Sequence, residues 1–165
     1  MIISLKMSKN HLTHTVLKEI GFTLLAEGKT IKVKADGFSM YPAIKPGSII
    51  YIQPAGMGIE PVPGDIIAWK RDSGLVVHRL VRILEKENKT FFITRGDSSA
   101  SEDQPVIKDQ IAGKVIHIEF PEGKSVSPMR GLINQYNYLI NRILVWMILR
   151  LKQLKRLFMI SLPAP

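Results

Sequence analysis

The chain of 165 residues is long enough for one domain with a hydrophobic core, or for one domain and an appendage. It contains no cysteine, which excludes disulfides, thiolate zinc sites and a cysteine nucleophile. The formal net charge is +9, a balance that favours nucleic acid, anionic lipid or acidic ligands as partners. No acidic residue follows Glu122, so much of the basic excess belongs to the C-terminal tail.

The N-terminal segment, residues 1–29, is predicted to be helical. Apolar residues recur at helical spacing between positions 9 and 27, and Gly28 can end the helix. The first residues lack the apolar core and the small-residue cleavage site of a signal peptide. His11 and His14 are spaced as a metal pair could be, but no further ligands converge with them. We therefore expect no metal site and no cofactor.

Residues 30–120 are predicted to form a mainly β domain. Six short β-rich runs alternate there with Gly and Pro turns, and they read TIKVKA, SIIYIQ, DIIAWK, LVVHRLVRIL, TFFITR and QIAGKVIHIEF. Strands at this spacing indicate a compact, mostly antiparallel barrel or folded sheet.

The C-terminal quarter of the chain is predicted to be a linker, residues 121–129, and a basic amphipathic helix, residues 130–165. The uninterrupted apolar run of this helix is shorter than the roughly 18 residues that span a bilayer. An interfacial helix fits better, with an apolar face formed by Leu139, Ile143, Trp146, Met147, Leu151, Leu154 and Phe158. We expect peripheral association with a membrane surface, on a side that the sequence does not indicate. Binding to a partner protein and packing within the chain are the alternatives.

A possible nucleophile lies in the segment GFSMYPAIKPGS at 37–48. Ser39 follows a predicted strand, Gly37 permits an unusual backbone geometry, and Pro42 fixes the chain soon afterwards. Such a turn can hold a hydroxyl outward beside free backbone N–H groups, as an acyl-transfer nucleophile requires. A serine in an ordinary turn is the alternative interpretation.

A possible base lies in the segment LVVHRL at 75–80. A neutral imidazole at His78 is what a serine needs in order to lose its proton near neutral pH. A histidine with apolar neighbours can equally be structural. Lys70, at the end of the run DIIAWK, is an alternative base for a serine–lysine pair.

Possible supporting carboxylates lie in the segment FFITRGDSSASEDQP at 91–105. A predicted strand runs there into a polar loop that carries Asp97, Glu102 and Asp103. A carboxylate bonded to the base would fix its tautomer and stabilise the imidazolium. The alternative is a turn in which Asp97 caps its own backbone.

These segments resemble a known family when they are taken together. GFSMYP, KPGS, PGDIIAW, VVHRLVRI and TRGDSSASED occur in this order between Gly37 and Asp103. The stretch resembles the signal peptidase I family of serine peptidases and its relatives, the self-cleaving repressor peptidases. The resemblance implies a Ser-Met-x-Pro box at Ser39, Met40 and Pro42.

The residue at position 78 indicates a subtype within that resemblance. Bacterial-type signal peptidases and the repressor peptidases have lysine in the corresponding strand, whereas the endoplasmic-reticulum and archaeal type has histidine followed by arginine. The sequence VVHRL resembles this Ser–His subtype, which also has a Gly-Asp loop and a further aspartate shortly after it. The resemblance therefore implies His78 as the base, Asp103 as its preferred partner, and Asp97 as the second candidate, better suited to organising the loop.

The sequence departs from the family pattern in two places. Gly37 stands where many signal peptidases have a side-chain oxyanion donor, so we expect the backbone N–H of Ser39 to take that role. Phe38 stands where glycine is common, which should alter the edge that binds substrate. The usual N-terminal membrane anchor is also expected to be missing.

The resemblance implies a serine endopeptidase that cleaves signal or leader peptides of preproteins after small residues, through a Ser-His(-Asp) acyl-enzyme. Two alternatives are a maturation peptidase dedicated to one peptide and an inactive scaffold that binds peptides. Nucleic acid is not an expected partner, because no recognition helix, zinc finger or aromatic platform is evident.

Overall fold

The computed structural model of the protein describes residues 3–5, 11–56, 60–71, 74–128 and 135–160. The strands are β1 (Ile3–Leu5), β2 (Ile31–Ala35), β3 (Ser48–Pro54), β4 (Ile66–Arg71), β5 (Gly74–Lys86), β6 (Lys89–Arg95), β7 (Val106–Ile107), β8 (Ile111–Glu119) and β9 (Ser125–Val126). The helices are α1 (His11–Ala26) and α2 (Gln135–Ile160), and a short 3-10 turn at Lys108–Gln110 joins β7 to β8.

All of the described strands belong to one sheet. Their order is β1-β2-β3-β8-β4-β5-β6-β7, and β9 pairs with β8. Every described strand pair is antiparallel except the parallel pair of β1 and β2. Because β1 and β7 end the order without pairing with each other, the described strands form an open folded sheet and not a closed barrel. The predicted mainly β fold with an N-terminal and a C-terminal helix is confirmed.

The predicted runs correspond to β2 to β6 and β8. The strands that the sequence did not indicate, β1, β7 and β9, have only two or three residues each, too few to show a period of two. β9 lies within the range predicted as a linker and pairs Val126 with Ile118 of β8. The helix predicted over residues 9–27 corresponds to α1.

The sheet carries a hydrophobic cluster on each face. The first cluster contains Leu24, Leu25, Ile31, Met40, Ile44, Ile50, Ile52, Ile66, Ala68, Val115 and Ile118. The second contains Ile67, Trp69, Leu80, Phe92, Val106 and Ile111. β4 contributes alternate residues to both clusters, so it is buried on both faces and reads as a continuous apolar run. α1 supplies Leu24 and Leu25 and thereby covers the first face.

α2 contacts the domain along a narrow stripe. Tyr138 is 6% exposed, and Asn141, Val145 and Ile148 are partly buried at spacings that place them on one side of a helix. Large apolar side chains are exposed elsewhere on the helix, and they are Leu139, Ile140, Ile143, Leu144, Trp146, Met147, Leu149, Leu151 and Leu154. These include the predicted apolar face, apart from Phe158, whose side chain lies outside the described part. Within the described ranges, neither helix combines the length and apolar character needed to cross a bilayer.

Candidate active site

β5 presents its two motif residues on opposite faces of the sheet. His78 lies opposite Ile67 of β4, and Arg79 lies opposite Ile66. Directly opposed residues of an antiparallel pair share a face. His78 is therefore on the face of the second cluster and Arg79 on the face of the first. These adjacent residues of β5 thus have different surroundings.

His78 is paired with Asp103. Its Nδ1 lies 2.6 Å from Asp103 Oδ2, and Thr94 Oγ1 donates a hydrogen bond of 2.7 Å to the same oxygen. The side chains of His78 and Asp103 are only 13% and 14% exposed, so the pair is largely shielded from water. A carboxylate beside Nδ1 favours the tautomer that carries its proton there, which leaves Nε2 able to accept a proton.

Asp103 is held in its charged form. Burial acts to raise the pKa of this carboxyl, but the hydrogen bonds with His78 and Thr94 and the charges of His78 and Arg71 together hold the pKa below its ordinary value. Arg71 Nη2 lies 3.9 Å from the other carboxylate oxygen. An ionised carboxylate in this position can stabilise the imidazolium that a general base becomes.

Asp97, the second candidate carboxylate, has a different partner. Arg79 donates Nε and Nη2 to its two oxygens at 2.8 Å each, and Nη1 to the carbonyl oxygen of Gly64 at 2.7 Å. Arg79 and Asp97 are only 5% and 7% exposed, and the paired geometry is the strong bidentate form. This ion pair joins the turn before β4, strand β5 and the loop after β6. The geometry therefore supports Asp97 as an organiser of the loop and Asp103 as the partner of His78.

Ser39 lies in the turn between β2 and β3. The serine is exposed, whereas Met40 and Ile44, just after it, are 4% and 2% exposed in the first cluster. These buried anchors fix a turn whose serine remains accessible. Within the described part of the chain, the backbone N–H groups of Ser39 and Met40 donate to no other residue. They are therefore available to bind an oxyanion.

Gly96 is the point at which the histidine and the serine turn meet. A Cβ atom at Gly96 would lie 2.7 Å from the carbonyl oxygen of Ser39 and 3.1 Å from His78 Nε2, and closer still to Ser99 Oγ. The carbonyl oxygen of Ser39 and Nε2 of His78 are thus both close to Gly96. Since Nδ1 of the ring faces Asp103, Nε2 is the nitrogen on the side of the serine turn. The structure brings His78, Asp103 and the backbone of the Ser39 turn together at Gly96, and among the described residues no hydrogen bond joins Ser39 Oγ to His78.

Ser98 joins the loop after β6 to the serine turn. Its backbone N–H donates to the carbonyl oxygen of Ser39 at 2.9 Å, and its Oγ donates to the carbonyl oxygen of Phe38 at 2.7 Å. Sequence reasoning assigned no role to Ser98, Thr94 or Arg79. Hydrogen bonds between distant segments leave no periodic pattern in the sequence. The only signal for a role of these three residues was their position inside the motif segments.

Other candidates lie away from this place. Lys70 Nζ is 4.9 Å from the ring of Phe22 in α1, on the sheet face opposite to that of His78, because it is paired with Leu75. Glu102 accepts a hydrogen bond of 2.7 Å from Arg82. In the described ranges, no three His, Asp or Glu side chains converge as metal ligands would. The structure describes only the backbone of His11 and His14.

The fold and this geometry define a mainly β protein with a candidate active site at the His78–Asp103 pair and the neighbouring Ser39 turn. Over 84 residues the chain is 32% identical to signal peptidase I W of Bacillus subtilis (strain 168), an alignment that covers 50% of this chain and 44% of that protein. The chain is thus similar to a signal peptidase I, and the match spans less than half of that relative's length. No family model matches the chain.

Proposed function

We propose that the protein is a serine endopeptidase that cleaves signal or leader peptides after small residues. The observation that carries this proposal is the pairing of His78 with Asp103, with Nε2 of the ring beside the turn that holds Ser39. The similarity to a signal peptidase I supports the class of substrate. A serine, an imidazole and an ionised carboxylate at one place form the arrangement that acyl transfer to a serine requires.

In the proposed reaction, His78 Nε2 accepts the proton of Ser39 Oγ while that oxygen attacks the carbonyl carbon of the scissile peptide bond. The backbone N–H of Ser39 donates to the oxyanion that forms. The imidazolium, stabilised by Asp103, then gives its proton to the leaving amine nitrogen, and the C–N bond breaks to leave an acyl-enzyme. Water then attacks the ester carbon while His78 removes one of its protons, and the imidazolium returns that proton to Ser39 Oγ as the C–O bond breaks and the acid product leaves.

Asp97 has a supporting part in this proposal. Its carboxylate is bound by Arg79 through two hydrogen bonds, so it is not the group that faces the imidazole. Because it follows Gly96 directly, its fixed position holds the glycine against the serine turn. Asp97 thus shapes the site without contact with the reacting atoms.

We also propose that α2 lies on an anionic membrane surface through its exposed apolar side chains. Trp146 is 59% exposed and Leu151 is 59% exposed, so this surface is free to bury area in the interface. Arg142 and Arg150 are exposed on the same helix. Anionic headgroups attract such cations by roughly 1 kcal/mol each. Binding in this way would place the peptidase domain beside the substrates that emerge at a membrane.

The test is cleavage of a panel of signal-peptide substrates by the purified protein in the presence of lipid vesicles. The Ser39→Ala and His78→Ala variants are compared with Ser125→Ala and His117→Ala, which change the same residue types away from the site. Cleavage after small residues that is lost only in the first two variants supports the proposal. Cleavage that survives Ser39→Ala contradicts it. A wild-type protein that cleaves no member of the panel would favour the dedicated peptidase or the inactive scaffold.

A further inference from the structure

α2 contacts the loop that follows β6 at Asp97 and the last residue of β6 at Arg95. Asn141 Nδ2 donates a hydrogen bond of 2.9 Å to the backbone carbonyl oxygen of Asp97. The guanidinium of Arg95 lies 3.8 Å from the centre of the Tyr138 ring, a cation–π contact. Tyr138 is buried against the domain, so both contacts belong to the stripe that faces the sheet.

Arg95 links Tyr138 to the far end of the loop that follows β6. Its Nη2 donates to the carbonyl oxygens of Ser99 and Ala100 at 3.1 Å and 3.2 Å. Asn141 therefore holds the start of the loop at Asp97, and Tyr138 holds its end through Arg95. The residue between these two points, Ser98, is the one that bonds the serine turn.

The contacts form a continuous path from α2 to the candidate nucleophile. The helix fixes the loop of residues 96–100 at both ends, and the backbone N–H of Ser98 holds the carbonyl oxygen of Ser39 at 2.9 Å. The bidentate bond from Arg79 is made to the side chain of Asp97. The carbonyl group of Asp97, which sets the direction of the chain into Ser98, is bound by Asn141.

We propose that Tyr138 and Asn141 are positioning residues, which hold the loop of residues 96–100 so that the Ser39 turn stays beside Gly96, next to Nε2 of His78. The inference rests on the proposed peptidase function, and it assigns to α2 a second role besides contact with a membrane. Neither residue touches the reacting atoms. Their loss would allow the loop and the serine turn to move apart, and a misplacement of about 1 Å can slow catalysis by roughly 100-fold.

The experiment compares two pairs of variants in the full chain without lipid. Asn141→Leu removes the donor to Asp97, while Gln153→Leu makes the same change on an exposed part of α2. Tyr138→Leu removes the ring under Arg95, while Tyr138→Phe keeps the ring and removes only the hydroxyl. We expect kcat to fall about tenfold or more in Asn141→Leu and Tyr138→Leu with KM little changed, and to stay near the wild-type value in the other two.

Amide hydrogen exchange gives a second readout that does not depend on the substrate. The amide of Ser98 should exchange faster in Asn141→Leu and Tyr138→Leu, while the amides of β4 and β5 keep their wild-type protection. Faster exchange throughout the sheet would show that α2 only stabilises the domain, and would overturn the proposal, as would unchanged exchange at Ser98. If the wild type cleaves no member of the panel, the proposed cleavage of signal peptides is not supported, and the exchange of the Ser98 amide alone decides whether α2 holds the loop.

Discussion

Replacement of Gly96 by alanine should lower the catalytic activity while the protein still folds. The added Cβ would lie 2.7 Å from the carbonyl oxygen of Ser39 and 3.1 Å from His78 Nε2, whereas ordinary contacts of such an atom begin at 3.4 Å. The Ser39 oxygen is a backbone atom fixed by Ser98, so the turn or the loop must move by about 0.7 Å. Since a 1 Å misplacement costs roughly 100-fold in rate, we expect kcat/KM to fall by about 30- to 100-fold, or about 2–3 kcal/mol of transition-state stabilisation.

The unfolding free energy of this variant should fall by no more than its transition-state stabilisation. Overpacking typically costs about 1–3 kcal/mol, and the loss of a glycine from the unfolded chain returns about 0.4–1 kcal/mol where the backbone conformation suits alanine. The net cost corresponds to a decrease of only a few degrees in Tm for a domain of this size. The assay is steady-state cleavage of the best peptide of the panel, with Tm measured by circular dichroism.

Two further variants make the test of Gly96→Ala specific. At Gly37, two residues before the serine, a Cβ would meet nothing within 4 Å, so Gly37→Ala should retain activity within about threefold of wild type. The double variant Gly96→Ala with Ser99→Ala removes the contact with the Ser99 hydroxyl but keeps the clash with the Ser39 oxygen, so it should stay slow. Wild-type activity in Gly96→Ala would refute the close approach of the loop to the serine turn.

Three other changes have distinct expected outcomes. Asp103→Asn should lower kcat by roughly 10³- to 10⁴-fold, because an amide no longer holds the ring proton of His78 at Nδ1; a loss below tenfold in peptide cleavage would exclude the carboxylate from this role. The same variant should be less stable than wild type near pH 6 in urea titrations. The difference in unfolding free energy should disappear as the pH falls below about 4. The reason is that a carboxyl whose pKa is lowered in the folded state stabilises the fold above its ordinary pKa and loses this effect as the pH falls through its folded-state pKa. Arg79→Met should cost about 3–5 kcal/mol of unfolding free energy, because it leaves the buried carboxylate of Asp97 uncompensated; a loss under 1 kcal/mol in urea denaturation would contradict this. Trp146→Ala should weaken co-sedimentation with anionic vesicles even at high salt, because the indole contributes apolar burial; undiminished binding would exclude this face of α2.

The sequence indicated the main strands because their apolar residues and turn signals are local. The residues alone did not decide between Asp97 and Asp103, since both follow β6 within one loop, and the preference for Asp103 came from the family resemblance. Which aspartate faces His78 depends on two contacts between strands. His78 and Arg79 point to opposite faces of the sheet, and Thr94 of β6 donates a hydrogen bond to Asp103. The sequence also included both aspartates in one site, whereas the structure gives each a separate partner.

The attachment of α2 could not be read from its own residues. Apolar side chains occur on most of its circumference, so hydrophobicity alone selects no single buried stripe. The residues that fix the helix are Tyr138 and Asn141, and their partners, Arg95 and Asp97, are far away in the chain. Only the folded loop after β6 presents those partners together.

The placement of His78 and Arg79 on adjacent positions of β5 also protects the strand against misalignment. A slip of β5 by one residue against β4 would exchange the faces of the two side chains. The guanidinium would then enter the second cluster without Asp97, and the imidazole would leave Asp103. A one-residue slip therefore leaves a buried charge unpaired and separates His78 from Asp103, so the dipeptide of His78 and Arg79 also favours the observed pairing of β5 with β4.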